Sequence, residues 1–219
     1  MNGMDEMLER IKAREANGTA KVEDPGTRYL AEAQRRTWER VGVPLVHAED
    51  VAGELAGTQA REVVMDKPRI LLALSGPPGT GKTIAACEWL RAFCYDAKNY
   101  DVGAVNATFR YDRHPPLFVS SARLARWERY DDERMNVLLK AVRLVVDDIG
   151  TEYSDAKGNF MAVFDELVSD RAGNKRPTII TTNCDKATFK AKYDSRIADR
   201  IRQSGEFVSV AGPSMRGKP

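Results

Sequence analysis

Eight consecutive residues, Gly76-Pro77-Pro78-Gly79-Thr80-Gly81-Lys82-Thr83, carry the spacing G-x-x-x-x-G-K-[ST]. That spacing suits one task, holding the phosphates of a nucleoside triphosphate. Backbone N–H groups of such a loop point inward and cradle the β-phosphate, helped by the helix N-terminus behind them. Glycines permit the backbone angles and the close approach that a Cβ would block. Lys82 is then expected to reach the β- and γ-phosphates, and the Thr83 hydroxyl to ligate Mg²⁺. A Gly/Pro-rich turn between strand and helix is the alternative, but it gives no reason for Lys and Thr to follow the last glycine together.

A second pair of acids suits the same chemistry. Leu144-Val145-Val146-Asp147-Asp148-Ile149-Gly150 is an apolar run ending in paired carboxylates, 65 residues beyond Lys82. Asp147 is expected to hold Mg²⁺, directly or through water, and Asp148 to orient the attacking water, as in a Walker B strand. Two acids capping a strand at a turn are the plainer alternative. Glu152 is a weaker candidate for the same region. Further on, Thr178-Ile179-Ile180-Thr181-Thr182-Asn183 is another apolar strand with a polar end. Asn183 either senses the γ-phosphate or caps the next helix. In Asp194-Ser195-Arg196-Ile197-Ala198-Asp199-Arg200, the two arginines stand four apart on one helix face. Either is suited to act as an arginine finger on a neighbouring subunit's γ-phosphate, or to pair internally with Asp194 or Asp199.

Strands alternating with helices must position these groups. From Arg69 onward the pattern predicts a parallel sheet with helices on both faces. Strands are expected over 70–75, 117–119, 144–146, 178–182 and 207–210. Helices are expected over 83–93, from Ser120 or Ser121 to Arg129, over 132–141, 159–172 and 196–203. Before the sheet, helices are predicted over 4–16 and 27–41, the latter ended by Gly42, with a third around 51–60. They are too small for an independent core, so they pack on the sheet or bind a partner. The natural division is an N-terminal helical partner-binding region, 1–62, and a nucleotide-binding domain, 63–219.

Bulk properties fit this division. Of 34 basic and 32 acidic residues, 9 and 13 fall in residues 1–66, a net of −4. The remaining 25 and 19 leave the body at +6. A basic body suits nucleic-acid contact and an ordinary solvated surface equally well. The polar loop 96–116 holds Tyr100, Phe109, Arg110, Tyr111, Arg113 and His114. These residues either stack single-stranded bases or anchor the loop. The longest apolar runs are about five residues, against roughly 20 for a membrane-spanning helix. The acidic start lacks a signal-peptide pattern. Cys87, Cys94 and Cys184 have no metal-binding spacing and read as reduced, mostly buried thiols. A cytoplasmic location is expected.

Taken together, GPPGTGKT at 76–83, LVVDDIG at 144–150, TIITTN at 178–183, SRIADRI at 195–201 and the closing Gly212-Pro213-Ser214-Met215-Arg216 resemble the AAA+ ATPases of the DnaC/IstB group. That group comprises bacterial and phage helicase loaders and their transposition relatives. The resemblance covers about residues 36–216, including the lead-in Trp38 to Pro44. It implies a three-layer α/β P-loop fold with a five-stranded parallel sheet, a short N-terminal helical extension and no C-terminal lid domain. It also implies an ATPase using ATP and Mg²⁺, active as a homo-oligomer in its ATP state. Arg216 would be a second sensor. The implied partners are the replicative, DnaB-type helicase and single-stranded DNA, with no membrane. The alternatives are an IstB-like helper of a DNA transposase and a nucleotide-switched DNA-binding module with little turnover. Asp148 stands where many AAA+ proteins carry Glu. Its shorter reach implies slow hydrolysis, stimulated by DNA or a partner.

Overall fold

The computed structural model describes residues 35–44, 46–47, 58–66, 69–94, 114–126, 132–151 and 159–215. Five strands, β1 (Leu71–Ser75), β2 (Leu117–Ser120), β3 (Leu144–Ile149), β4 (Thr178–Thr182) and β5 (Gly205–Ser209), form one parallel sheet in the order β2-β3-β4-β1-β5. The helices are α1 (Gln59–Met65), α2 (Lys82–Cys94), α3 (Ser121–Leu124), α4 (Asp132–Lys140), α5 (Asn159–Gly173), α6 (Lys186–Lys192) and α7 (Asp194–Ser204). The α/β architecture expected from the motifs is therefore present. No helix among the described residues is long and apolar enough to cross a membrane.

Period-two alternation divides the core between the two faces of the sheet. Leu72, Leu74, Val145 and Ile179 face α2 through Ala85, Ala86, Cys87 and Leu90. Leu71, Ala73, Val146 and Ile180 face the other way, onto Phe160, Phe164 and Leu167 of α5 and Ile197 and Ile201 of α7. β1 and β4 are buried at every position, as apolar central strands of a parallel sheet must be. Each Leu or Ile so placed contributes about 1.5–3 kcal/mol of burial.

Part of the region ahead of the sheet packs on it. Trp38, Val41, Val43, Ala60 and Val64 lie in the α2-side core. Helix 35–41 stops at Gly42, whose φ of 86° lets the chain turn back. The N–H groups of Gly42 and Val43 both donate to the Trp38 carbonyl, at 2.9 and 3.0 Å. A Cβ at Gly42 would lie 2.7 Å from the Phe118 carbonyl oxygen. The helices expected over 4–16 and around 51–60, and the first part of that over 27–41, lie largely outside the described residues. α1 begins at Gln59 because Thr58 caps it, accepting from Arg61 N–H, while Arg61 pairs with Glu88 of α2 at 2.9 Å. From Thr37 onward the described residues belong to one compact unit.

Two further elements differ from expectation. α6 is an added helix, with Asp185 as its N-cap. α3 ends at Leu124 rather than at Arg129, and residues 127–130 lie outside the described residues. At the end of the sheet remote from the P-loop, Arg171 is 0% exposed and spends its guanidinium on fixed acceptors. Nε donates to Thr178 Oγ1 at 2.7 Å, Nη1 to the carbonyls of Leu138 and Ala141 at 2.7 and 2.9 Å, and Nη2 to Pro177 O at 2.8 Å. It thereby joins the last turn of α4 to the start of β4.

Candidate functional site

The loop 76–81 leaves β1 and enters α2 through three glycines with positive φ: 152° at Gly76, 86° at Gly79 and 81° at Gly81. The loop is also backed by chain from the far end of the sequence. Val210 N–H donates to Ser75 O at 2.6 Å, and Met215 N–H to Gly79 O at 2.8 Å. A Cβ at Gly79 would sit 2.1 Å from Ser214 Oγ, so this glycine is required by close packing as well as by its φ. Ala211 N–H reaches Gln59 Oε1 of α1 at 2.8 Å. The closing G-P-S-M segment thus lies along the loop. Arg216 itself is outside the described residues.

Lys82 is 6% exposed. Its ammonium donates to Gly76 O and Pro77 O, both at 2.8 Å, and to Asn183 Oδ1 at 3.2 Å, with Thr80 Oγ1 at 3.4 Å. A buried ammonium demands such acceptors. Thr80 Oγ1 also donates to Pro77 O at 3.0 Å, stiffening the loop. Pro78 is exposed on its outer side.

Asp147 is 8% exposed at the end of β3. Burial holds its carboxyl above the ordinary aspartate range, while hydrogen bonds to Thr181 and Thr83 pull it back down. The neighbouring Asp148 raises it further, and His47 is close enough for its charge to lower it. Thr181 Oγ1 donates to Asp147 Oδ1 at 2.6 Å. The β3–β4 register shifts between Val146 and Ile149, at the two acids.

Asp148 has a φ of 59°, in the left-handed region that a non-glycine residue rarely adopts. Its backbone is held on both sides. The N–H donates to Thr181 Oγ1 at 2.9 Å, and the carbonyl accepts from Ser121 Oγ at 2.7 Å and Thr151 Oγ1 at 2.9 Å. Asn183 Nδ2 donates to Asp148 Oδ1 at 3.0 Å. One amide side chain therefore touches both Lys82 and Asp148. Asn183 does not cap the following helix, because Asp185 Oδ1 takes the Thr188 N–H at 2.7 Å.

Lys82, Thr83, Asp147, Asp148 and Asn183 are thus brought together at the C-terminal ends of β1, β3 and β4. Arg196 and Arg200 stand on α7, which packs by Ile197 and Ile201 on the other face of the sheet from α2. Asp199 pairs with Arg202 at 3.4 Å rather than with either of them. Lys192 Nζ donates to Gly150 O at 2.8 Å, tying the chain just before α7 to the end of β3. The polar loop around Tyr100 to Arg113 and the acid Glu152 lie outside the described residues. Thr181, Ser121 and Thr151 escape sequence reasoning, since hydroxyls inside apolar runs or in turns carry no spacing signal. The one available clue is that Thr181 and Asn183 are two apart on a strand, hence on one side of it.

The profile of the IstB-like ATP binding protein family matches residues 60–219. The chain belongs to that family. The match covers both Walker segments, the Asn183 strand and the closing segment, in agreement with the DnaC/IstB-like AAA+ resemblance. Among solved structures the chain is similar to the DnaC helicase loader, at 22% identity over 69% of this chain and 86% of that one, with a TM-score of 0.51. It is also similar to DnaI, at 20% identity over 77% and 93%, with a TM-score of 0.48. A third similar structure is the replication initiator DnaA bound to AMPPCP and single-stranded DNA, at 15% identity over 76% and 50%, with a TM-score of 0.50. Among curated proteins none matches. At these identities the DnaC and DnaA structures speak for the fold alone, and the family match establishes a nucleotide-binding AAA+ protein.

Proposed function

We propose that this chain is an ATPase that loads a replicative helicase, in the manner of DnaC, during initiation of DNA replication. The observation that carries the ATPase reading is the hydrogen-bonded line Lys82–Asn183–Asp148 beside the buried Asp147. It brings together a cation, an amide and a carboxylate of the kinds that would bind phosphate, sense it and orient water. The Gly76 and Pro77 carbonyls that Lys82 touches are neutral, and charged phosphate oxygens form the stronger hydrogen bonds.

Loop residues Gly76, Pro77, Pro78, Gly79, Thr80, Gly81, Lys82 and Thr83 would bind the triphosphate, with Arg216 as a second sensor. Asp147 and the Thr83 hydroxyl form a hard oxygen pair. Such a pair suits Mg²⁺, which keeps several waters and is held by one or two protein oxygens plus substrate phosphates. When bound, Mg²⁺ neutralises charge developing on the β- and γ-oxygens. Asp148 would align the attacking water, and Asn183 would contact the water or the γ-phosphate. Arg196 or Arg200 would act on the neighbouring protomer of an ATP-state oligomer. The acidic N-terminal region, 1–62, would grip the helicase while the basic body, 63–219, follows single-stranded DNA.

The family match gives specific support to a second reading, an IstB-like helper that presents duplex DNA to a transposase. The short Asp148 side chain favours a third, a nucleotide-switched DNA-binding module. Affinity capture with ATP from the host lysate separates the first two. The loader reading expects the hexameric replicative helicase, lost on deleting residues 1–60, and tighter binding to single-stranded than to duplex DNA. Capture of a transposase with duplex preference would replace it. ATP turnover that stays negligible with DNA and helicase present would favour the switched module.

A further inference from the structure

A hydroxyl group has one proton to give. At Thr181 that proton goes to Asp147 Oδ1, 2.6 Å away, while the same oxygen accepts the Asp148 N–H at 2.9 Å. Thr181 is 1% exposed near the C-terminal end of β4, so water is a poor substitute for either bond. The direction of these bonds sets both acids. Asp147 is made an acceptor, which fixes the rotation of its carboxylate. Asp148 is pinned at a φ of 59°, with Ser121 and Thr151 holding its carbonyl from the other side. Its carboxylate is thereby delivered to Asn183. No other side chain among the described residues bonds to both acids.

We propose that Thr181 is a positioning residue for the nucleotide site: its hydroxyl fixes the orientation of the Asp147 carboxylate and the backbone of Asp148 together, so that metal binding and water alignment depend on one side chain. The inference rests on the Mg²⁺·ATP reading above. Thr181 itself touches neither phosphate nor metal.

The test measures equilibrium ATP binding by calorimetry as Mg²⁺ is varied, in wild type, Thr181→Val and Thr181→Ser, with thermal melting to confirm folding. Valine keeps the shape and loses the hydroxyl. The Mg²⁺ concentration for half-maximal tightening of ATP should rise roughly ten- to a hundredfold, as expected for loss of a hydrogen bond to a charged group. Serine restores the hydroxyl and should stay within about threefold of wild type. Affinity for ATP in EDTA should be the same in all three, because the contacts of Lys82 are untouched. If valine fails to fold, Thr181→Ala serves, with the same Mg²⁺ shift expected. A hydroxyl-free variant with wild-type Mg²⁺ dependence would overturn the inference, as would a serine variant as impaired as valine. A wild-type protein whose ATP binding ignores Mg²⁺ would instead remove the magnesium reading itself, a failure visible without any variant.

Discussion

Two buried cations stand at opposite ends of this sheet, and both are solvated by backbone carbonyls. Arg171 spreads its guanidinium over Thr178, Leu138, Ala141 and Pro177. Lys82 puts its ammonium on Gly76 and Pro77. Their difference lies in what the partners can do. The Arg171 acceptors belong to the last turn of α4, the start of β4 and the turn before it, all committed to the core. Burial lowers its pKa to about 9, still leaving it charged at neutral pH. The Lys82 acceptors belong to a glycine-rich loop at the protein surface, next to Asn183 and two carboxylates. The first arrangement is saturated and structural. The second is expected to exchange carbonyls for phosphate oxygens, and on the proposed function that exchangeability would make one buried cation part of a site and the other part of the frame.

Removing Arg171 should give the largest effect. Arg171→Met strands several buried carbonyls and is expected to cost about 3–5 kcal/mol. At about 2–4 °C per kcal/mol, the melting temperature falls by roughly 10 °C, with ATP affinity unchanged in the fraction that remains folded. Loss of affinity without loss of stability would reverse the contrast.

Asn183→Ala removes the side chain shared by Lys82 and Asp148. Turnover should fall about a hundredfold, the usual cost of losing one preorganised donor, with ATP affinity held within about fivefold. Steady-state kinetics beside equilibrium binding would show the split.

Asp147→Asn should stabilise the nucleotide-free protein while abolishing its response to Mg²⁺. The Asp147 carboxyl is raised above the ordinary aspartate value, so the folded state binds its proton more tightly than the unfolded state. Stability is therefore lost as pH rises from the ordinary value through the raised one. The variant should melt a few degrees higher at pH 7, and the gain should vanish toward acid pH, where both states are protonated. Melting curves across pH, with and without Mg²⁺, would check both halves.

The smallest effect concerns the thiols. Burial pushes Cys87 well up and Cys94 to about 12, so both remain protonated and enclosed. Cys184 is only partly buried. A native thiol titration should find one fast group of three, and all three after denaturation.

The motifs were legible because their signals are local. Residues 70–83 and 144–150 combine an apolar run with a polar end within one strand and its turn, and the structure sets both polar ends at the C-terminal edge of the sheet. The helix α6 left no such trace, since Lys186 to Lys192 buries one residue, Phe189, and has no apolar stripe. Arg171 and Thr181 were hidden for another reason. Arg171 reaches Leu138 and Ala141, and Thr181 reaches Asp147, across about 30 residues of chain, so these roles exist only once the sheet is assembled. The contact of Ser214 with Gly79 likewise joins the end of the chain to a loop 135 positions earlier.

The central claim is that Lys82 is a cation whose partners a nucleotide can replace. It is tested most directly by calorimetric titration of ATP with Mg²⁺ into wild type and Lys82→Ala, alongside their melting curves. The account predicts saturable binding in wild type, at least a hundredfold weaker binding in the variant, and a melting temperature within about 2 °C of wild type. Wild-type affinity in Lys82→Ala, or a loss of stability matching that of Arg171→Met, would contradict it.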